Sequence, residues 1–283
     1  MSGLFEGLAD AIRNERPVAM AEVVEGPEDL LGAKLLVEPG PPLRISGSLG
    51  DEGLDRVVIR DALGELAAGL TAARHYGPHG EARARDLSVF IESFAPPPRM
   101  IIFGAVDFTA ALAKVAKVLG YRVTVCDARP VFATRARFPM ADEVVVAWPD
   151  KHLAEVGPGL GLRDAVCVLT HDPKFDVPAI VSALATGVGY LGAMGSRRTT
   201  EERNGRLREA GVDEDGLARV MGPIGLDIGA RTPEETAVAI CAEIIATRTG
   251  RDAPSLRDRP GPIHRDMAWA STPGADAASG GFS

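Results

Sequence analysis

The sequence predicts an α/β protein, with a doubly wound parallel sheet in its C-terminal part and a smaller N-terminal α+β domain. Three observations carry this. From residue 100 onward short apolar runs alternate with stretches of helical spacing, a pattern that calls for parallel strands covered on both faces. Before residue 95, strand-like runs stand close together with Pro and Gly turns between them. Between the two lies Ala95-Pro96-Pro97-Pro98-Arg99, whose consecutive prolines favour stiff extended backbone and mark a linker. The resulting expectation is an N-terminal domain over 1–94, a linker over 95–99, a C-terminal domain over 100–250 and a flexible tail over 251–283.

In order, residues 1–14 read as a short amphipathic helix ended by Pro17, and residues 18–24, 33–37 and 43–45 as strands. A helix over 53–70 follows, with Leu54, Val57, Val58, Leu63, Leu66 and Leu70 on one face, then a returning strand over 87–91. His75 and His79 fall in a polar loop. In the C-terminal part strands are expected at 100–103, 122–126, 143–146, 165–169 and 190–193, and helices at 108–119, 177–185 and 199–210. A last helix over 233–248 opens with Thr232-Pro233-Glu234-Glu235, a capping box with proline at the first helical position. Past Gly250 the chain is rich in Pro, Gly, Ala and Ser.

Bulk composition excludes several classes. The 283 residues carry a net charge of −8, which argues against nucleic-acid binding, since no basic excess is present to neutralise phosphates. Three cysteines, Cys126, Cys167 and Cys241, lie in apolar runs without ligand spacing and read as buried free thiols, with no metal site. No apolar run reaches the roughly 18 residues of a membrane span, and no signal peptide is legible, so a cytoplasmic protein is expected.

Ligands of an open parallel sheet bind outside the carboxyl ends of its strands. There the sequence places Gly104-Ala105-Val106-Asp107-Phe108-Thr109, then Asp127, then Thr170-His171-Asp172-Pro173, then Gly195-Ser196-Arg197-Arg198. The first of these is a damaged dinucleotide fingerprint: Gly104 stands, but Val106 and Thr109 occupy the second and third glycine positions. Val106 would crowd a pyrophosphate and Asp107 repel it, while Asp127 is placed to accept from ribose hydroxyls. The turn is either an NAD(P) site or a Rossmann-like fold kept as scaffold. Gly195, Ser196, Arg197 and Arg198 open a helix and read as a phosphate cradle or a solvated basic helix start. His171 and Asp172 read as a proton-transfer pair, a ligand contact, or a plain strand-end loop. The run Gly222-Pro223-Ile224-Gly225-Leu226-Asp227-Ile228-Gly229-Ala230-Arg231 implies close backbone approach, to a ligand or to another segment. Gly104, Asp127, His171, Asp172, Gly195, Ser196, Arg197 and Arg198 are the candidate cofactor-binding residues; no catalytic residue is assigned.

Several stretches together resemble the XdhC/CoxI-like xanthine dehydrogenase accessory family: Phe103-Gly104-Ala105, Cys126-Asp127-Ala128-Arg129-Pro130, Arg137-Phe138-Pro139, Ala141-Asp142-Glu143, Leu169-Thr170-His171-Asp172, Gly192-Ala193-Met194-Gly195-Ser196-Arg197-Arg198-Thr199 and Pro223-Ile224-Gly225-Leu226-Asp227-Ile228-Gly229-Ala230. The likeness covers roughly residues 15–250, and the last two motifs are the most specific. It implies an N-terminal accessory domain, a Rossmann domain and homodimers. It also implies binding of molybdenum cofactor, as molybdopterin or its dinucleotide, and delivery to a molybdenum hydroxylase apoenzyme of the xanthine or carbon monoxide dehydrogenase type. Two departures stand out. The family's Gly-Gly-Cys-[Leu/Val]-Glu motif is here Gly50-Asp51-Glu52-Gly53-Leu54-Asp55, with Gly53 in the cysteine's place. The family's Gly-Ala-Gly-His-x-Gly turn has lost two glycines and its histidine, where Asp107 stands. The leading expectation is therefore a cofactor-binding maturation factor. The alternatives are an NAD(P)-dependent oxidoreductase with a degenerate fingerprint and a non-catalytic scaffold docking on the hydroxylase.

Overall fold

The computed structural model describes residues 2–81 and 84–258. After helix α1 (Ser2–Arg13), strands β1 (Val18–Glu25), β2 (Lys34–Glu38) and β3 (Arg44–Ser48) lead into helix α2 (Glu52–Ala68). Strands β4 (Ala72–Tyr76) and β5 (Leu87–Phe94) complete an antiparallel sheet of order β3-β2-β1-β5-β4. Alternation along β1 sorts its side chains. Ala19, Ala21 and Val23 pack with Leu54, Val58 and Leu66 of α2, whereas Val18 and Met20 pack with Ala11 of α1 and Leu36. The carboxylate of Asp51 caps α2, accepting from the amides of Gly53 (2.8 Å) and Leu54 (2.9 Å). The helix ends at Gly69, whose φ of 68° favours glycine.

Strand β4 corrects the sequence reading, which put His75 in a polar loop. His75 lies on β4 opposite Ser88, with its Nδ1 2.9 Å from the Ser88 hydroxyl. The strand was illegible because it is an edge whose only buried residue is Tyr76, so it shows no apolar alternation.

Strand β6 (Arg99–Phe103), helix α3 (Asp107–Val118), β7 (Arg122–Cys126), β8 (Glu143–Val145) and α4 (Pro149–Val156) begin the second sheet. It continues through β9 (Ala165–Val168), α5 (Pro173–Leu184), β10 (Tyr190–Ala193), α6 (Arg197–Glu209), α7 (Glu214–Ala218), β11 (Val220–Met221) and α8 (Pro233–Thr249). Every pairing in it is parallel, in the order β8-β7-β6-β9-β10-β11. Counted within this sheet the order is 3-2-1-4-5-6, that of the doubly wound dinucleotide-binding fold, with the reversal between β6 and β9. Met100 and Ile102 bury with Leu112 of α3 and Ile240 of α8 on one face. Ile101 and Phe103 bury with Ile180 of α5 and Leu207 of α6 on the other. The α/β prediction with a smaller N-terminal α+β part therefore holds.

Helix α5 begins at Pro173 rather than at residue 177, because Asp172 caps it through the amide of Lys174 (3.0 Å) and proline suits the first position. The capping box of α8 forms as expected between Thr232 and Glu235. Past Asp252 the described residues form one 3-10 turn, Leu256–Asp258; most of the tail expectation, residues 259–283, lies outside the described residues. No helix among the described residues is long and apolar enough to cross a membrane.

Candidate functional site

The first turn at the carboxyl edge, between β6 and α3, satisfies itself. A Cβ on Gly104 would sit 2.7 Å from Thr170 Cγ2 and 3.0 Å from the Thr170 amide, and its φ is +109°, so glycine is required there. Thr109, fully buried in a fingerprint glycine position, donates its hydroxyl to the Gly104 carbonyl. The Ala105 amide donates to Asp127 Oδ2 (2.8 Å), and the Ala105 carbonyl accepts from Arg137 (3.1 Å). Asp107 is 91% exposed.

Asp127 does not present an open carboxylate. Its Oδ1 accepts from the amide and Nε of Arg129, both at 2.9 Å, and its Oδ2 from Arg129 Nη2 at 2.8 Å as well as from Ala105. Burial works to raise its pKa, but the Arg129 and Ala105 hydrogen bonds outweigh it and hold the carboxyl below its usual range. With both oxygens doubly engaged, it has no capacity left to accept from a ribose diol.

The turn between β10 and α6 is built differently. Ser196 caps α6, its Oγ accepting from the Thr199 amide at 3.2 Å. The amides of Arg197 and Arg198, at the first two helical positions, have no intrahelical acceptor. Both side chains are exposed, and Arg198 Nε bonds Glu202 Oε1 one turn on (3.0 Å). Behind the turn lies a buried network that the sequence reading missed. Arg203, 4% exposed, donates Nη2 to the Met194 carbonyl and stands 3.6 Å from Asp176 Oδ2, while Thr170 donates to Asp176 Oδ1. Arg203 Nη1 and Thr200 Oγ1 are buried without a hydrogen-bond partner among the described residues. Burial, opposed by Arg203 and reinforced by Asp172, pushes the Asp176 carboxyl up to about 7. The available signal was an aspartate and an arginine at positions that helical spacing turns toward the core.

Of the other candidates, His171 is exposed and Asp172 is the α5 cap. The glycine-rich run after β11 approaches another segment of the chain: Gly225 donates to Glu243 of α8 (2.9 Å) and Ile224 to the Ala193 carbonyl (3.1 Å). All three cysteines are buried and free; burial pushes Cys126 up to about 12 and Cys241 to about 11, so neither is a thiolate at neutral pH. At the position of the family's cysteine, a Cβ on Gly53 would lie 2.7 Å from the His79 carbonyl oxygen.

Comparison with known proteins accords with this architecture. The chain is 36% identical over 195 residues to a probable xanthine dehydrogenase subunit from Bacillus subtilis, covering 63% of this chain and 56% of that one. It is 25% identical over 170 residues to the molybdenum cofactor insertion chaperone PaoD of Escherichia coli, covering 60% and 46%. An uncharacterized Escherichia coli protein is 29% identical over 87% of this chain and 46% of its own length, so the chain spans about half the length of these curated relatives. A crystal structure of a xanthine dehydrogenase from Bacillus halodurans shares the fold, with TM-score 0.52 and 21% identity over 88% of this chain and 97% of that one. The XdhC Rossmann domain matches residues 100–244, and the pattern of the XdhC and CoxI family matches residues 11–77. The chain belongs to the XdhC and CoxI family.

Proposed function

We propose that this protein is a maturation factor that binds molybdenum cofactor, as molybdopterin or its dinucleotide, and delivers it to the apoenzyme of a molybdenum hydroxylase. Family membership and the role of the PaoD relative as an insertion chaperone support the reading. The observation that carries it is the start of α6: two unfilled amides, two exposed guanidinium groups and the buried, incompletely bonded Arg203 around one turn at the ligand edge. Such a turn suits the phosphate of a pterin cofactor. An oxidoreductase using NAD(P) is not favoured, because Arg129 occupies Asp127 and Val106 and Thr109 stand in for the fingerprint glycines.

The test is ligand affinity measured beside melting temperature. Arg197→Ala or Arg198→Ala should weaken phosphorylated-pterin binding roughly ten- to hundredfold, since a charge-assisted contact contributes about 1.5–3 kcal/mol. Melting temperature should barely move, because exposed cations at a helix start contribute little. Two variants that bind like the unmodified protein would remove the site. In this reading the protein works in the cytoplasm, a compartment that suits three free thiols, and as a homodimer. Light scattering that returned the mass of one 29.7 kDa chain at micromolar concentration would exclude the dimer.

A further inference from the structure

At the far side of the same edge, four side chains that the anion turn does not use come together. Trp148 holds the N-cap position of α4, where the following Pro149 restricts its backbone, and Phe175 lies in the first turn of α5. Their centroids are 4.8 Å apart with the planes inclined by 31°. The Arg129 guanidinium lies 4.6 Å from the Phe132 ring centroid and 5.9 Å from that of Phe175. Asp127 grips Arg129 through Nε and Nη2, which fixes the plane of the guanidinium. Yet Trp148 is 48% and Phe132 40% exposed. Large rings left half in water at the carboxyl ends of parallel strands lie where this fold takes its ligands. Aromatic faces and a flat guanidinium, its charge balanced by Asp127, attract a flat, polarisable ring.

We propose that Trp148, Phe175, Arg129 and Phe132 form a stacking shelf for the planar nitrogen heterocycle of a phosphorylated ligand, a pterin or a nucleobase. The shelf rests on the reading of the protein as a carrier of phosphorylated cofactor, and adds a second point of attachment to the anion turn. It also gives the closed Asp127 a purpose: the carboxylate orients Arg129 as part of the shelf.

The chain's two tryptophans are Trp148 and Trp269, so a Trp269→Phe background leaves Trp148 as the sole indole reporter. In that background 6-hydroxymethylpterin, CMP, GMP and AMP are titrated by calorimetry and by indole quenching, with inorganic phosphate as the ring-free control. At least one heterocycle should quench Trp148 saturably while phosphate does not, and comparing the pterin with the nucleotides identifies which ring is held. Trp148→Ala should lower that affinity about five- to hundredfold, the range for a ring stacked on an aromatic side chain. Trp148→Phe should restore most of it, and circular dichroism should show both variants folded. Absence of quenching by every heterocycle to millimolar concentration, or unchanged affinity in folded Trp148→Ala, overturns the shelf. If Arg197→Ala weakens binding of a phosphorylated pterin while folded Trp148→Ala leaves it unchanged, the shelf fails and the carrier reading stands. If nucleotides quench but no pterin, phosphorylated or free, binds, the carrier reading fails and the shelf stands. A Trp148→Ala variant that binds heterocycles normally but no longer co-purifies with the hydroxylase assigns the rings to a protein interface and overturns the proposal.

Discussion

The turn after β6 and the turn after β10 start alike and end differently. Each follows a buried strand, opens a helix, and begins with a glycine where a Cβ has no room: 2.7 Å from Thr170 Cγ2 at Gly104, 2.5 Å from Thr199 Oγ1 at Gly195. In the first, Thr109 at a fingerprint glycine position and the neighbouring Asp127 and Arg137 turn their polar groups inward, while Asp107 stays in water. Thr109 bonds the Gly104 carbonyl, Asp127 takes the Ala105 amide, and Arg137 takes the Ala105 carbonyl. In the second, the cap is local and the cations face out, at a helix start where the macrodipole disfavours positive charge. The first turn spends its polar groups on the chain itself, whereas the second leaves two cations in water at a helix start, the arrangement on which the proposed phosphate site rests.

The largest expected effect comes from the group that supports the second turn. Burial holds Asp176 at a pKa of about 7, against roughly 3.9 in an unfolded chain. Between those values the folded state keeps a proton that the unfolded state has released. The contribution to stability is therefore complete below about pH 4 and lost as pH rises toward 7, up to about 4 kcal/mol. Asp176→Asn resembles the protonated form and should lack this slope. Denaturant unfolding of both proteins from pH 4 to 8 gives the difference directly. Parallel curves would mean that Asp176 is an ordinary ion-pair partner of Arg203, and that the second turn rests on a conventional salt bridge.

The next effect breaks the first turn. Gly104→Ala forces a Cβ against the Thr170 backbone at a positive φ, and should cost roughly 2–4 kcal/mol. Chemical denaturation measures it. A cost under about 0.5 kcal/mol would show that this turn has slack, and that its closed hydrogen bonding does not define a rigid scaffold.

The same contrast explains what the sequence disclosed. Met100, Ile102, Val123, Val125 and Val166 announce buried parallel strands, because apolar runs of that length between helices have few other uses. Strand β4 announces nothing, since four of its five residues remain partly or wholly in water. At the site, Arg197 and Arg198 were legible as charges after a strand, and the structure leaves them exposed. The closure of Asp127 was not legible: Arg129 stands two residues away, and only the bend after β7 returns its guanidinium onto the carboxylate. Asp176 and Arg203 were missed as a pair because they meet across two helices: spacing can turn each toward the core but does not say which partner it finds there. The glycine at position 53 read as a lost cysteine; its surroundings add that His79 has closed over the place a thiol would need.

The smallest effect is also the sharpest test of the difference between the turns. The sequence offered the Ser196 hydroxyl as part of a phosphate cradle, but its oxygen accepts from the Thr199 amide at 3.2 Å and caps α6. If capping is its main role, Ser196→Ala should lower stability by about 1 kcal/mol. Affinity for a phosphorylated ligand should fall by less than about threefold, because the Arg197 and Arg198 amides and guanidinium groups remain in place. Arg197→Ala should give the opposite pair of results, lost affinity at constant melting temperature. Measuring both quantities on both variants separates the structural half of the turn from its ligand half. Should Ser196→Ala leave the melting temperature unchanged and remove tenfold or more in affinity, the hydroxyl is itself a ligand contact. The helix start would then depend on its ligand for capping, and the stability of α6 should rise when that ligand is added.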